Sequence, residues 1–152
     1  MVERLSSGLR LEPPLAALLY QRGVETVEAA QKFFNPSLSD LHDPFLMLDM
    51  KVAIERIERA LDSGERIMLY GDYDVDGTSA VSLLYNFFST YSKDIMFYIP
   101  DRYAEGYGIS HRGIDYAADN GVKLIITVDC GIKATQEVEY AAAHGVDFIV
   151  TD

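Results

Sequence analysis

The stretch RIMLYGDYDVDGTSAVSLLYNFFSTY, residues 66–91, holds three carboxylates at alternate positions, Asp72, Asp74 and Asp76, fenced by Gly71 and Gly77. RIMLYG reads as a buried strand and TSAVSLLYNFFSTY as a largely buried helix, which makes the acidic segment the connection between them. Side chains at alternate positions of an extended segment point the same way, so these carboxylates repel each other and raise each other's pKa. A divalent cation among them is the simplest remedy.

The same alternation of strand and helix continues on both sides. Upstream, DMKVAIERIERALDSG places Met50, Ala53, Ile54, Ile57, Ala60 and Leu61 at helical spacing between Asp49 and Gly64. Downstream, DIMFYIP is a second strand, SHRGIDYAADNG a helix opening on Ser110, VKLIITVD a third strand, KATQEVEYAAAHG a helix, and VDFIVTD a fourth strand. Such a series predicts an α/β fold: a mostly parallel sheet with helices on both faces. Each strand runs into an acidic residue: Asp72, Asp101, Asp129 and Asp152. Parallel strands share one carboxyl edge, where open sheets bind ligands, so the acids are expected to converge there.

Ahead of this pattern the chain has a different character. Pro13-Pro14 and Gly23 bracket one short helix, and Thr26 opens another that stops before Asn35-Pro36. Residues 35–48 read as a loop, packed because Leu38, Leu41, Phe45, Leu46 and Leu48 are too apolar for a free linker. The expected division is a helical leader over residues 1–48, packed on the core, and an α/β domain over residues 49–152. The fourth strand stops on Asp152 where a functional loop would begin, so the chain is expected to be the amino-terminal part of a longer protein.

A chain of 152 residues, 49% hydrophobic and 24% charged, suffices for a globular core and is not disordered. Its 24 acidic and 13 basic residues leave a formal charge of −11, which argues against binding nucleic acid or anionic membrane by bulk attraction, though not against a local groove or a metal-bridged phosphate. Cys130 is the only cysteine, so no internal disulfide can form and a reducing, cytoplasmic setting fits. No run is apolar enough for a signal peptide or a membrane helix.

Several chemistries compete for the acidic segment. DYDVDG opens like an EF-hand calcium loop, but position twelve is Leu83 and a strand precedes it. DVDGT resembles the nucleophile motif of haloacid-dehalogenase-type phosphatases, with Asp74 as nucleophile and Asp76 as acid/base. A glycine-rich turn with solvated carboxylates is the bland alternative.

YGDYDVDGTSA (70–80) also resembles the first motif of the DHH phosphoesterases, and IPDRYAEGYGIS (99–110), TVDCGI (127–132) and the terminal VTD follow in that family's order. The form GDYDVDG and the leader LLYQRGV…AAQKFFNPSLSDLHDPFLM are similar to the RecJ-type single-strand-specific exonucleases. The resemblance implies that Asp74, Asp76 and Asp129 ligate two Mn²⁺ or Mg²⁺ ions and serve catalysis, with Asp129 shared. Asp72, and Asp152 as the D of the family's naming motif, stand around the ligands and orient them or water. Tyr70 sits where many members have a ligating histidine, and a phenol is a poor ligand at neutral pH.

The resemblance further implies a metal-dependent 5′-to-3′ exonuclease that releases 5′-mononucleotides from single-stranded DNA in recombination and repair. Its expected partners are single-stranded DNA, a single-strand-binding protein, a recombination helicase and the carboxyl-terminal domains of the same protein. Without those domains, this chain is expected to bind metal weakly and show little or no nuclease activity. Arg102 is the candidate phosphate contact, its alternative being a salt bridge with Asp101 or Glu105. Gly106 and Tyr107 are candidate substrate contacts, through backbone bending and base stacking. His42, His111 and His144 are assigned no role, and Cys130 is read as a small buried residue. The rival of another class is a DHH-derived scaffold that has lost its chemistry.

Overall fold

A computed structural model describes residues 1–152. The chain forms two compact units, Met1–Leu48 and Asp49–Asp152.

In the first unit, α1 (Val2–Leu9) packs on α2 (Pro13–Gln21) and α3 (Val27–Phe34). Proline opens α2, and the Thr26 hydroxyl caps α3 by accepting from the Ala29 amide at 3.0 Å. The sequence reading missed α1, whose Ser6-Ser7-Gly8 is a poor helical run. Gly8 has a packing reason, since a Cβ there would collide with Val27. The expectation of a packed loop at residues 35–48 is not met: Leu38, Leu41, Phe45, Leu46 and Leu48 are all exposed. Local polar bonds shape this segment instead. It forms two 3₁₀ turns, Leu38–Asp40 and Pro44–Leu46, whose amides are held by the side chains of Asp40 and Asp43.

The second unit runs α4 (Met50–Asp62), β1 (Arg66–Gly71), α5 (Val75–Phe88), β2 (Ile95–Tyr98), α6 (His111–Asp119), β3 (Val122–Val128), α7 (Thr135–Ala143) and β4 (Asp147–Thr151). All neighbouring strands are parallel, in the order β2-β1-β3-β4. Side chains alternate across the sheet. Ile67 and Leu69 join Leu124 and Ile126 in a core with Ala60 of α4 and Val81 and Phe88 of α5. Met68 and Tyr70 join Val122 and Ile125 in a second core with Ile114 and Ala117 of α6 and Ala141 of α7. Burial on both faces explains why the strands are nearly continuous in apolar residues. No helix is long and apolar enough to cross a membrane.

The topology creates one special crevice. From β1 the chain moves outward to β2, then returns past β1 to β3 and on to β4. The direction of winding therefore reverses between β1 and β3, and the loops leaving their carboxyl ends diverge to opposite faces. This is where open parallel sheets leave room for a ligand.

Candidate functional site

Gly71, Val128 and Thr151 lie in one register row across β1, β3 and β4. The next residue of each strand is an aspartate, so Asp72, Asp129 and Asp152 stand side by side at the carboxyl edge, with Asp72 and Asp129 flanking the switch point. Neighbouring strands are about 4.8 Å apart, which sets the scale of this juxtaposition.

Asp74 and Asp76 reach the same edge by another route. Alternate side chains pointing the same way would require extended backbone from 72 to 76, but α5 begins at Val75, earlier than the expected TSAV. Asp74 is its cap: one carboxylate oxygen accepts from the amides of Asp76 at 3.0 Å and Gly77 at 3.1 Å. Asp76 lies in the first helical turn, where the helix dipole favours an anion. The helix starts hard against the strand end, because a Cβ on Gly77 would overlap the backbone of Asp72. That close approach accounts for the second of the two glycines. With β1 rather than a helix leading into it, the segment does not have the architecture of an EF-hand.

The turn after β3 is tied down from β4. Asp129 adopts a left-handed backbone (φ 57°) and donates its amide to the Thr151 carbonyl at 3.1 Å. One oxygen of Asp152 accepts from the Ile132 amide at 3.0 Å. Partial burial, followed by the charges of Asp74, Asp76, Asp72 and Asp152, holds the Asp129 carboxyl above its ordinary range. Cys130 is fully buried, and burial together with Asp72, Asp152 and Asp129 pushes its thiol up to about 12, leaving no thiolate for chemistry.

None of these five carboxylates forms an ion pair with lysine or arginine; the five salt bridges of the chain all lie elsewhere. Asp72 is only 2% exposed, and one of its oxygens has no hydrogen-bond partner. A buried carboxylate oxygen without a donor is costly, and hard oxygen donors without a protein counter-charge suit a divalent cation. The donor set therefore fits Mn²⁺ or Mg²⁺. It is not a closed cage: no three His, Cys, Asp or Glu side chains have the spacing to hold a metal unaided.

The 101–110 loop leaves β2 and comes back over the edge. Arg102 is in no ion pair, so the expected alternative with Asp101 or Glu105 is not found; its guanidinium lies 5.2 Å from the ring centroid of Tyr73. Tyr73 in turn meets Tyr107 edge-on at 6.5 Å. Tyr107 is exposed, and its phenol is raised by partial desolvation and by the charges of Asp152 and Asp72. Gly106 (φ 85°) supplies the left-handed bend. Asp101 is occupied locally, capping the amides of Tyr103 and Ala104.

Sequence reasoning missed Tyr73, Tyr98 and the role of Glu105. Glu105 accepts from the Tyr98 hydroxyl at 2.8 Å, the Asp101 amide at 2.9 Å and the Ser110 hydroxyl. Burial alone would raise its carboxyl, but these donors outweigh it and hold the group below its ordinary value. The only signal was Glu105 itself, an acid inside a glycine-rich loop. The histidines are elsewhere: His111 and His144 both contact the Tyr140 ring at 4.3 Å between centroids, and His42 lies in the first unit.

Residues 66–152 match the DHH family, N-terminal domain. The sequence is 42% identical over 151 residues to the single-stranded-DNA-specific exonuclease RecJ of Bacillus subtilis (strain 168), covering 99% of this chain and 19% of that protein. The crystal structure of RecJ in complex with Mn²⁺ from Thermus thermophilus superposes with a TM-score of 0.75 at 26% identity, covering 99% of this chain and 20% of the other. A crystal structure of exonuclease RecJ bound to manganese gives 0.61 at 36% identity, covering 66% of this chain and 26% of the other. The chain spans about a fifth of the length of the curated relatives it matches.

Proposed function

The chain belongs to the DHH family, and from that premise we propose that it carries the first metal-binding motifs of a 5′-to-3′ exonuclease that releases 5′-mononucleotides from single-stranded DNA. The carrying observation is the carboxyl edge of the sheet, where five aspartates gather unpaired and one buried oxygen of Asp72 lacks a donor. Support for the substrate comes from the RecJ relatives, named as single-stranded-DNA-specific exonucleases.

Asp74, Asp76 and Asp129 are the proposed ligands of Mn²⁺ or Mg²⁺. Asp74 has one oxygen engaged as a helix cap and the other left for a cation. Asp72 and Asp152 orient the ligands or a water, Asp152 through its hold on the turn that carries Asp129. When bound, the ions supply charge neutralisation, a lowered pKa for water and a clamp on phosphate oxygens for in-line displacement. Arg102, free of ion pairs, binds a phosphate of the strand, and Tyr107 offers a face to a base. Gly106 allows the bend that presents them. A formal charge of −11 makes attraction by this unit as a whole unfavourable, so capture of DNA rests on the cation and such local contacts. The biological setting that goes with this chemistry is cytoplasmic recombination and repair, with a single-strand-binding protein and a helicase as partners.

The test is hydrolysis of 5′-phosphorylated single-stranded DNA by the full-length protein that contains this chain, with Mn²⁺, Mg²⁺ or chelator. Release of mononucleotides from the 5′ end, abolished by chelator and reduced at least about 100-fold in Asp76→Asn and Asp129→Asn, is expected. A folded wild-type protein without metal-dependent hydrolysis would replace this reading by the non-catalytic scaffold.

A further inference from the structure

Tyr70 stands out in the first motif, a phenol where the resemblance to the DHH phosphoesterases implies a ligating histidine in many members. It is fully buried, stacked on Tyr98 with centroids 5.3 Å apart, and its hydroxyl points to the 101–110 loop rather than standing free at the carboxylate edge. That hydroxyl donates to the Gly108 carbonyl at 3.1 Å and accepts from the Ser110 amide at 3.0 Å. Two backbone groups of an irregular segment are thereby satisfied from inside the sheet.

Glu105 makes the second half of the same device. Its carboxylate takes donors from the start of the loop (the Asp101 amide), from its end (the Ser110 hydroxyl) and from β2 (the Tyr98 hydroxyl). Ser110 simultaneously caps α6 by accepting from the Gly113 amide at 2.9 Å. A Cβ at Gly113 would come within 2.6 Å of the Tyr70 ring, so α6 lies directly against the phenol that holds the loop. Strand, loop and helix are joined in one network, while Arg102 and Tyr107 remain on the outside of the loop.

We propose that Tyr70 and Glu105 are positioning residues that pin the Asp101–Ser110 loop against β1 and β2, and so fix Arg102 and Tyr107 at the place where the DNA strand meets the carboxylates. This rests on the exonuclease reading for its second half only; the pin itself is a statement about the loop. Removing either member leaves the carboxylate edge intact, because neither touches Asp74, Asp76 or Asp129. The loss is in strand capture, which is uniform binding and therefore appears in KM more than in kcat.

The experiment combines amide hydrogen exchange with steady-state kinetics on the full-length protein, in wild type, Tyr70→Phe, Glu105→Gln and Tyr98→Phe. These variants keep ring and side-chain shape, and thermal unfolding selects those that fold. Exchange at residues 102–108 should rise about tenfold or more in Glu105→Gln and Tyr70→Phe, and less in Tyr98→Phe, with KM for single-stranded DNA rising about tenfold and kcat within about threefold. Loop exchange at the wild-type rate in both Glu105→Gln and Tyr70→Phe would overturn the pin. Faster exchange with unchanged KM would overturn its role in positioning. Faster exchange in a wild-type background that hydrolyses no DNA would overturn the exonuclease reading while leaving the pin in place.

Discussion

At the scale of single residues, the decisive features are those that a side chain would spoil or that burial has made unforgiving. Gly77 is one. Any Cβ there meets the backbone of Asp72, which cannot swing away as a flexible side chain would, so α5 must slide off the strand end. Gly77→Ala should cost about 1–3 kcal/mol in urea unfolding and weaken Mn²⁺ binding, since the slide separates Asp76 from Asp129. Glu105 sets a pH dependence with a definite sign. Its folded-state pKa lies below the ordinary 4.5, so its contribution is complete above that value and is lost as the pH falls through the lower folded value. The groups facing it are the hydroxyls of Tyr98 and Ser110, the Asp101 amide and the Arg112 guanidinium, and the neighbouring Asp101 carboxyl is itself held below its ordinary value by the Ala104 and Tyr103 amides. Loop protection in hydrogen exchange should therefore stay level from neutrality down to about pH 4.5 and fall below it. In Glu105→Gln the protection should be lower at every pH, and the only acid step left should be that of Asp101, whose carboxylate holds the Tyr103 and Ala104 amides.

At the scale of elements, the strands and their carboxyl ends were legible because burial on both faces forces apolar runs and a polar residue must end each run. RIMLYG and VKLIITV show this directly, whereas DFIVT, on the edge strand, is only half-buried. The start of α5 was not legible. An aspartate followed by a β-branched residue, another aspartate and a glycine looks like a turn, and only the contact of Gly77 with the strand end reveals that the helix begins inside the motif. The exposed leucines of residues 38–48 misled in the opposite direction, because apolar composition does not say whether a segment has anything to pack against. The α5 start also gives Asp74 two jobs that substitution separates. Asparagine caps a helix as well as aspartate does, so Asp74→Asn should unfold within about 0.5 kcal/mol of wild type while losing Mn²⁺ binding by electron paramagnetic resonance. Asp74→Ala should lose the same binding and a further 0.5–2 kcal/mol, roughly, of stability. If Asp74→Asn binds Mn²⁺ as wild type does, Asp74 is a cap and nothing more.

At the scale of the whole molecule, charge is sorted along the strand direction of the sheet. At the amino ends three of the acids are paired, Glu65 and Asp147 with Arg56 and Asp94 with Arg66. At the carboxyl ends they are not, and the unpaired group accounts for five of the 24 acidic residues. A chain of formal charge −11 gains stability from any added salt by screening, so a rise in unfolding temperature with Mn²⁺ would not by itself locate a site. Binding to the native state differs from screening in two respects: it grows as the logarithm of free ligand above Kd, reaching about 2.7 kcal/mol at a hundredfold excess, and it depends on named side chains. At constant ionic strength set with NaCl, micromolar to millimolar Mn²⁺ should raise the unfolding temperature of the wild-type chain. The same titration of Asp129→Asn should stay nearly flat, even though that variant starts out more stable because one of the mutually repelling charges is gone. Asp147→Asn, at the amino end, should respond to Mn²⁺ as wild type does. Parallel responses in all three proteins would mean that the cation acts on net charge alone, and the carboxyl edge would then be an acidic surface without a metal.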